Sequence, residues 1–346
     1  MPFLFICSTG DHAGQSIVAW SIARRLLEKG ANISIFKPFG TRLICVNDAW
    51  SDPDAFLFKD VLDIQYPLEM ICPYVDSEKT AEQNGAIKIL EEIKSLAHKL
   101  STGKDLLIIL GSKHIFFDSA PHSLPETSLI SELNADLVLV HRYRKISTSL
   151  YSVLSVNSLL KDSTKYNIIN RVPHDEFRRV KDQILPVLNQ KRISNTTILP
   201  EDPVLSLRSV WEIREILDGQ VIFGEEYLNR LVGRITVGTA DLHGELLLFK
   251  RIYNKIVLLE PSTDSGTIAG ILLTGNRKPP DQVVEVAKKS GIPLILVKED
   301  SFAAQERLDQ NIPALNPRDK NKVLHFMAMM DRDDSLNRLI QSLGIV

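Results

Sequence analysis

The sequence has few cysteines, no surplus of positive charge and no long apolar run. Its three cysteines, Cys7, Cys45 and Cys72, are odd in number and form no C-x-x-C pair, which argues against a disulfide framework or a zinc site. A formal net charge of −2 leaves no basic surplus to neutralise phosphates, so we expect no nucleic-acid partner. No apolar run reaches the roughly 18 residues of a membrane span, and no signal peptide is recognisable. We therefore expect a cytoplasmic protein with no membrane partner and no tightly bound metal.

The length of 346 residues predicts two domains, because a single core stops growing at roughly 250–300 residues. Buried strands alternate with helices through the first 200 residues, which predicts a doubly wound parallel sheet of the α/β class. The alternation pauses between Pro203 and Gly219. We therefore expect a first domain over residues 1–204, a linker helix over 205–220, and a smaller α/β domain over 221–346 that ends in an amphipathic helix.

The first 25 residues have the pattern of a phosphate-binding loop. An apolar run, Phe3–Cys7, predicts a buried strand, and a loop with two glycines leads to apolar residues at helical spacing from Ser16 onward. Strand, glycine-containing loop and helix together place backbone N–H groups and a helix N-terminus around an anion. However, Gln15 stands where such a loop carries its lysine. A tight turn that opens any doubly wound domain explains the same stretch.

Two charged residues at the next strand are candidates for the same site. Lys37 follows the second predicted strand and would place a cation at the mouth of the sheet, where ligands of open α/β sheets bind. A solvated lysine before a proline turn is the alternative. Asp54 follows Asp52 and Pro53 at the start of a helix. It could bind a metal. It could equally interact with the positive end of the helix dipole, while Asp52 or Pro53 caps the helix.

The ends of three later strands carry further signals. The central strand ends in Leu110, where a nucleotide hydrolase usually carries an acid for magnesium. His141 could touch a phosphate, although a strand-end histidine is more often a surface residue. Asn170 is placed to pair with a purine edge, and it could also simply tolerate the turn that follows.

In the second half, small polar residues follow two buried strands. They suggest a ligand site formed by Thr274, Gly275 and Asp300, together with Thr263 and Asp264 in a preceding polar turn. Plain turn chemistry explains the same residues.

Six stretches of the chain together carry a family resemblance. In chain order they are Ile35–Gly40, Asp52–Leu62, Ile168–Pro173, Ile198–Asp202, Gly270–Gly275 and Gly291–Asp300. Over about residues 1–340 the chain resembles the N-terminal region of long phosphate acetyltransferases, a dethiobiotin-synthetase-like P-loop domain followed by a DRTGG domain. No stretch resembles the acyltransferase domain, so the resemblance does not imply that activity.

The resemblance implies ATP or ADP with magnesium as ligands. Ser16 and Asp54 would hold magnesium, and Lys37 would lie near the reacting groups of an active member. The implied nucleotide-binding residues are Thr9, Gly10, Asp11, His12, Ala13, Gly14, Gln15, Ser16, Asn170 and Pro200.

This sequence departs from the family pattern at the positions that carry the chemistry. Gln15 replaces the loop lysine and Leu110 replaces the acid, and losing a charge aimed at the phosphoryl group typically costs about 10²–10³ in rate. Thr263–Gly266 stands where the second domain's naming motif has Asp-Arg.

These departures favour a degenerate P-loop protein with a regulatory or nucleotide-sensing role and weak or no ATP hydrolysis. One alternative is an ATP-dependent ligase or synthetase in which Lys37 substitutes for the loop lysine. Another is a structural partner protein that binds no nucleotide. We also expect a homodimer through the DRTGG-like domain, because the resemblance implies it and because the tail with Met327, Met329 and Met330 adds apolar surface.

Overall fold

The computed structural model describes residues 3–46, 48–75, 85–112, 114–116, 124–238, 246, 248–249, 257–261, 268–311 and 314–345. The chain divides into two compact units. The first combines Met1–Glu201 with Leu315–Val346, and the second is Asp202–Ala314.

The first unit is built on strands and helices that alternate along the chain. Its strands are β1 (Phe3–Ser8), β2 (Ile33–Phe36), β3 (Ile44–Val46), β4 (Ala49–Ser51), β5 (Leu106–Leu110), β6 (Asp136–Arg142), β7 (Thr164–Val172) and β8 (Thr196–Pro200). Its helices are α1 (Gln15–Glu28), α2 (Pro53–Val61), α3 (Leu68–Ile71), α4 (Ala86–Ser101), α5 (Glu126–Glu132), α6 (Ile146–Leu159) and α7 (Phe177–Gln190).

Six of these strands form one parallel sheet in the order β2-β5-β1-β6-β7-β8, while β3 and β4 form a separate hairpin. Helices α4 to α7 pack their apolar residues against one face of the sheet. Helix α1 lies on the other face, against β1 and β5. The predicted doubly wound parallel sheet is confirmed, and the carboxyl ends of its strands meet at the edge where the phosphate loop lies.

The second unit is a smaller α/β unit with a mixed sheet. Its elements are α8 (Pro203–Ser206), β9 (Arg208–Ser209), α9 (Val210–Ile216), β10 (Gln220–Phe223), β11 (Leu231–Val237), β12 (Val257–Pro261), β13 (Gly270–Leu273), α10 (Asp281–Ser290), β14 (Leu294–Leu296) and α11 (Ser301–Gln310). The strand order is β10-β14-β13-β12-β11-β9, and among these described strands only β13 and β14 pair in parallel.

The predicted linker at 205–220 is wrong, because the second unit uses these residues in its own fold. Strand β9 pairs with β11 at the edge of the mixed sheet. In α9, Val210 and Ile213 are buried in the core with residues of β12 and α11. Burial of this apolar face makes the segment the first part of the unit.

The predicted position of the C-terminal tail is also wrong. Its helices, α12 (Lys320–Asp331) and α13 (Ser335–Ser342), belong to the first unit. Arg25 of α1 donates to Asp331 Oδ2 at 2.5 Å and to Asn337 Oδ1 at 2.7 Å. The tail methionines, Met327, Met329 and Met330, are buried and are not exposed apolar surface. The amphipathic tail therefore completes the face of the sheet that α1 covers.

Candidate functional site

The loop between β1 and α1 turns sharply at its last residue. Gly14 has φ = 99°, a left-handed conformation that favours glycine, and it precedes the first turn of α1. A Cβ at this position would lie 2.8 Å from Asn170 Nδ2, so a larger residue does not fit. Backbone conformation and space both require glycine here.

The N-terminus of α1 lies directly after the loop. Among the described residues no side chain caps this helix, and its first turn carries no acid. The first N–H groups of a helix have no partner within it and carry a partial positive charge, which suits a phosphate. Ser16 lies in this first turn and is half-buried.

Gln15, the first residue of α1, is held by the residue that follows β5, the strand next to β1. Its Nε2 donates to the carbonyl oxygen of Gly111 at 3.0 Å. Leu110, just before that glycine, is 1% exposed and ends β5 as part of the core. The position of the loop lysine and the position of the strand-end acid thus both carry uncharged side chains.

Asn170 holds the loop from β7. Its Nδ2 donates to Ala13 O at 2.9 Å, and its Oδ1 accepts from Arg171 N at 2.9 Å. The side chain is buried, and because alternate residues of a strand face opposite sides of a sheet, it lies on the side of α1. The structure therefore brings Asn170 to the loop as a support for the backbone at Ala13.

Lys37 is buried between two carboxylates and is not a solvated lysine. Its Nζ lies 3.2 Å from Asp54 Oδ2 and 4.0 Å from Asp52 Oδ1, and its side chain is 2% exposed. Burial acts to lower the pKa of Lys37, but the two carboxylates more than offset it, so the pKa lies above its usual value. The ammonium charge is therefore present and already paired.

Asp52 organises this cluster. Its Oδ1 accepts from Asp54 N at 2.9 Å and caps α2, as the sequence predicts, while its Oδ2 accepts from Thr41 N at 2.7 Å. Burial and the neighbouring Asp52 raise the pKa of the Cys72 thiol to about 12, so this cysteine stays protonated. Asp54 lies in the first turn of α2, where it pairs with Lys37.

His141, at the end of β6, is buried and not on the surface as a strand-end histidine was expected to be. Its Nδ1 forms a hydrogen bond with Thr9 Oγ1, and its Nε2 forms one with Ser149 Oγ at 2.9 Å. Burial, with Arg144 nearby, lowers the pKa of His141 to about 4, so the imidazole is neutral at pH 7. The histidine ties the first loop residue to α6.

The remaining predicted loop residues lie at the rim of the site. Asp11 and His12 are exposed, and His12 is left-handed with φ = 57°. Gly10 is half-buried, and Ser8 Oγ donates to its carbonyl oxygen at 3.2 Å. Pro200 ends β8, opposite Val172 of β7.

Sequence reasoning missed Glu126, a buried acid beside this site. It begins α5 and is 2% exposed. Its carboxylate accepts from Ser112 N and from the Cys7 thiol at 3.3 Å. The one signal in the sequence was Gly111, whose missing side chain leaves the space that this carboxylate fills.

The described members of the candidate ligand site in the second unit are turn and cap residues. Asp300 caps α11, because its Oδ1 accepts from Phe302 N and Ala303 N at 2.9 Å. Gly275 follows Thr274 in a turn with φ = 77°. Thr263 and Asp264 lie outside the described residues. Of the five predicted residues, Asp300 is therefore the one whose side chain has an observed role, the capping of α11.

Two features are absent from the described residues. These residues contain no group of three or more His, Cys, Asp or Glu side chains arranged to hold a metal ion. None of the helices they form is long and apolar enough to cross a membrane.

Two known domain families together match most of the chain. An AAA domain family, AAA_26, matches residues 3–207, and the DRTGG domain family matches residues 212–311. The chain belongs to this AAA domain family. It carries the DRTGG domain behind it, which confirms the resemblance inferred from the sequence.

Curated relatives of this AAA and DRTGG chain are named phosphate acetyltransferase. The protein of Synechocystis sp. is 24% identical over 370 residues, which cover 99% of this chain and 52% of the relative. The protein of Nitratidesulfovibrio vulgaris is 22% identical over 358 residues, which cover 95% and 50%. The chain thus spans about half the length of the curated relatives it matches.

Solved structures with a similar fold include a cell division protein and a plasmid partition protein. The MinD cell division protein of Aquifex aeolicus is 15% identical with a TM-score of 0.37, over 59% of this chain and 84% of that one. A plasmid partition protein of Borrelia burgdorferi bound to AMPPNP is 16% identical with a TM-score of 0.39, over 58% and 87%.

Proposed function

We propose that the first unit binds an adenine nucleotide at the loop between β1 and α1 and hydrolyses it weakly or not at all, so that the protein has a regulatory, nucleotide-sensing role. The observation that carries the proposal is the uncharged side chain of Gln15. Its neutral amide occupies the position of the loop lysine and is bound to Gly111 O.

The loop residues fit a phosphate group. The first turn of α1 has no side-chain cap and offers backbone N–H donors, and the left-handed Gly14 lets the loop turn into this helix. These donors bind a phosphate in the ground state as well as in the transition state, so they contribute affinity without rate. When bound, magnesium would neutralise phosphate charge, with the hydroxyl of Ser16 and the carboxylate of Asp54 as its protein ligands. Because Asp54 already pairs with Lys37, we expect only modest magnesium dependence.

A ligase or synthetase that uses Lys37 requires that lysine to face the transferring group. Its ammonium is instead held 3.2 Å from Asp54 Oδ2 and is almost fully buried. An ion pair of this kind neutralises the charge that catalysis would need. The geometry therefore favours binding over turnover.

Equilibrium binding tests the proposal. Titration calorimetry of the intact chain with ADP and ATP, each with and without magnesium, should give dissociation constants in the range of about 10 μM to 1 mM. Ser16→Ala should reduce the magnesium dependence and leave magnesium-free binding unchanged. Absence of binding by either nucleotide up to several millimolar would contradict the proposal and favour a structural partner protein.

A further inference from the structure

A cavity of about 490 Å³ lies between the C-terminal end of α6, the start of β7 and the loop that joins α7 to β8. Its volume falls within the range of about 300–1,000 Å³ that small-molecule sites have. Four basic side chains line it, Lys161, Lys165, Lys191 and Arg192, and none of its described lining residues is acidic. Because the whole chain has a formal net charge of −2, this cavity concentrates positive charge in a protein that has no surplus of it.

Two buried asparagines form the polar inner wall of the cavity. Asn157 of α6 donates from Nδ2 to Asn167 Oδ1 at 2.8 Å, and Asn167 of β7 donates from Nδ2 to Asn157 Oδ1 at 3.4 Å. Asn157 Nδ2 also donates to Val153 O at 2.8 Å. These bonds fix the orientation of both amides, so the inner wall is polar and ordered.

The cavity is separate from the phosphate loop. Asn167 lines the cavity, whereas Asn170 supports the loop three residues further along β7, which is about 10 Å along a strand. The two side chains also face opposite sides of the sheet, because Asn167 contacts α6 and Asn170 lies on the side of α1. A ligand in the cavity therefore does not occupy the loop.

The charges around the cavity do not cancel. Lys165 Nζ lies 3.3 Å from Asp136 Oδ1, while Lys161, Lys191 and Arg192 have no ion pair within the part of the chain that the structure describes. The C-terminal ends of α6 and α7 lie beside the cavity, and each contributes roughly half a negative charge. Set against four cations, one carboxylate and two helix ends leave a surplus of roughly two positive charges.

We propose that this cavity binds a small phosphate monoester with a polar organic part. A phosphate monoester carries about −1.5 to −2 charges at pH 7 and three acceptor oxygens, which match cations that can only donate. The lining hydroxyls and amides of Ser158, Ser194 and Asn195 suit hydroxyl groups on the rest of the ligand. This second ligand site does not depend on the nucleotide proposed for the loop.

Calorimetry of the intact chain with ribose 5-phosphate in about 50 mM salt tests the proposal, with ribose as the uncharged control. We expect a dissociation constant on the order of 0.1–1 mM for ribose 5-phosphate and no measurable binding of ribose. In a lysine acetylation experiment read by mass spectrometry, ribose 5-phosphate should slow the modification of Lys161 and Lys191 and leave that of Lys288 unchanged.

A matched pair of double variants tests the role of the cations. Lys191→Gln with Arg192→Gln removes two exposed cations just after α7, and it should weaken the binding of ribose 5-phosphate at least about tenfold. Lys288→Gln with Lys289→Gln removes two exposed cations from the last turn of α10 and should leave the binding unchanged. All four positions are on the surface, so we expect both variants to fold.

Three results would overturn the proposal. The first is the absence of binding by both ribose 5-phosphate and inorganic phosphate up to about 10 mM. The second is undiminished binding in the variant after α7, which would place the phosphate elsewhere, for example at the loop. The third is equal weakening in both double variants, which would show an effect of net charge alone. None of them bears on nucleotide binding at the loop, so the proposed function is tested separately.

Discussion

At the scale of single residues, Lys37 shows how burial decides the role of a charged side chain. Lys37→Met would leave Asp54 and Asp52 without their cation, so we expect it to lower the free energy of unfolding by about 3 kcal/mol. Lys94→Met, which removes an exposed pair with Glu132, should change it by less than about 0.5 kcal/mol. Urea denaturation of both variants measures the difference.

The pH dependence of the Lys37 effect follows from its raised pKa. A raised folded-state pKa contributes stability that is fully present below the unfolded value of about 10.4 and is lost only as the pH rises through the folded value. The cost of Lys37→Met should therefore stay constant between about pH 6 and pH 9. A cost that disappears within this range would contradict the buried ion pair.

The contribution of His141 to the free energy of unfolding has the opposite pH dependence. Its pKa is lowered to about 4, so the unfolded chain binds its proton first, and stability present above about pH 6.5 is lost as the pH falls toward 4. A shift of this size corresponds to about 3 kcal/mol. His141→Asn should remove this part of the slope of unfolding free energy against pH, whereas the exposed His174→Asn should keep it. Equal slopes for the parent chain and His141→Asn would contradict the buried neutral imidazole.

At the scale of elements, a left-handed glycine lies at each end of α1, and the two glycines have different surroundings. Gly14→Ala should lower the free energy of unfolding by about 2 kcal/mol or more and abolish nucleotide binding, because the left-handed backbone and Asn170 both oppose a Cβ. Gly30, just after α1, is also left-handed, but a Cβ there meets nothing within 4 Å. Gly30→Ala should therefore cost only about 1 kcal/mol and preserve binding. Thermal unfolding and calorimetry distinguish the two variants, and equal effects would contradict the loop geometry.

The elements themselves could largely be predicted from the sequence. Short apolar runs such as Leu106–Leu110 indicate buried parallel strands, and their alternation with helices predicts the sheet of the first unit. Glu126 could not be predicted, since it lies 14 residues from Ser112 in the chain and contacts it only through the folded backbone. The burial of His141 depends on α6 in the same way, because Ser149 supplies its second partner.

At the scale of the whole molecule, the second unit is an insertion in the first. The amphipathic pattern of the tail shows that it has a buried face but not which core it joins. In the structure, Ser335 of α13 accepts from Thr197 of β8 at 2.8 Å, and Tyr166 of β7 donates to its carbonyl at 3.2 Å. The return of the tail to the first sheet thus rests on long-range contacts.

Limited proteolysis tests this arrangement. Cleavage near Glu201 and near Leu315 should release Asp202–Ala314 as one resistant fragment. The N-terminal fragment and the tail should then elute together in size-exclusion chromatography, because the tail helices pack on α1. A tail that separates from the N-terminal fragment would contradict the assignment.

Self-association through the DRTGG domain remains a prediction. The buried tail methionines no longer support it, but the second unit exposes Phe302 by 77% and Val237 by 41%. Two-fold dimers are the commonest soluble assemblies, so we propose a homodimer that covers such residues. Light scattering at micromolar concentration should give twice the chain mass of 38.9 kDa, and Phe302→Ser should shift it toward the monomer. A monomeric parent chain would contradict the proposal.

The most direct test of the central claim is the steady-state rate of ATP hydrolysis by the intact chain at saturating ATP and magnesium. We predict that the chain binds nucleotide and turns over ATP far more slowly than about 1 per second, because Gln15 brings no charge to the transferring phosphoryl group. Gln15→Lys should tighten ATP binding, as measured by calorimetry. Turnover at about 1 per second or faster that is lost in Lys37→Ala, with ADP binding retained, would contradict the account and identify an enzyme with a relocated lysine.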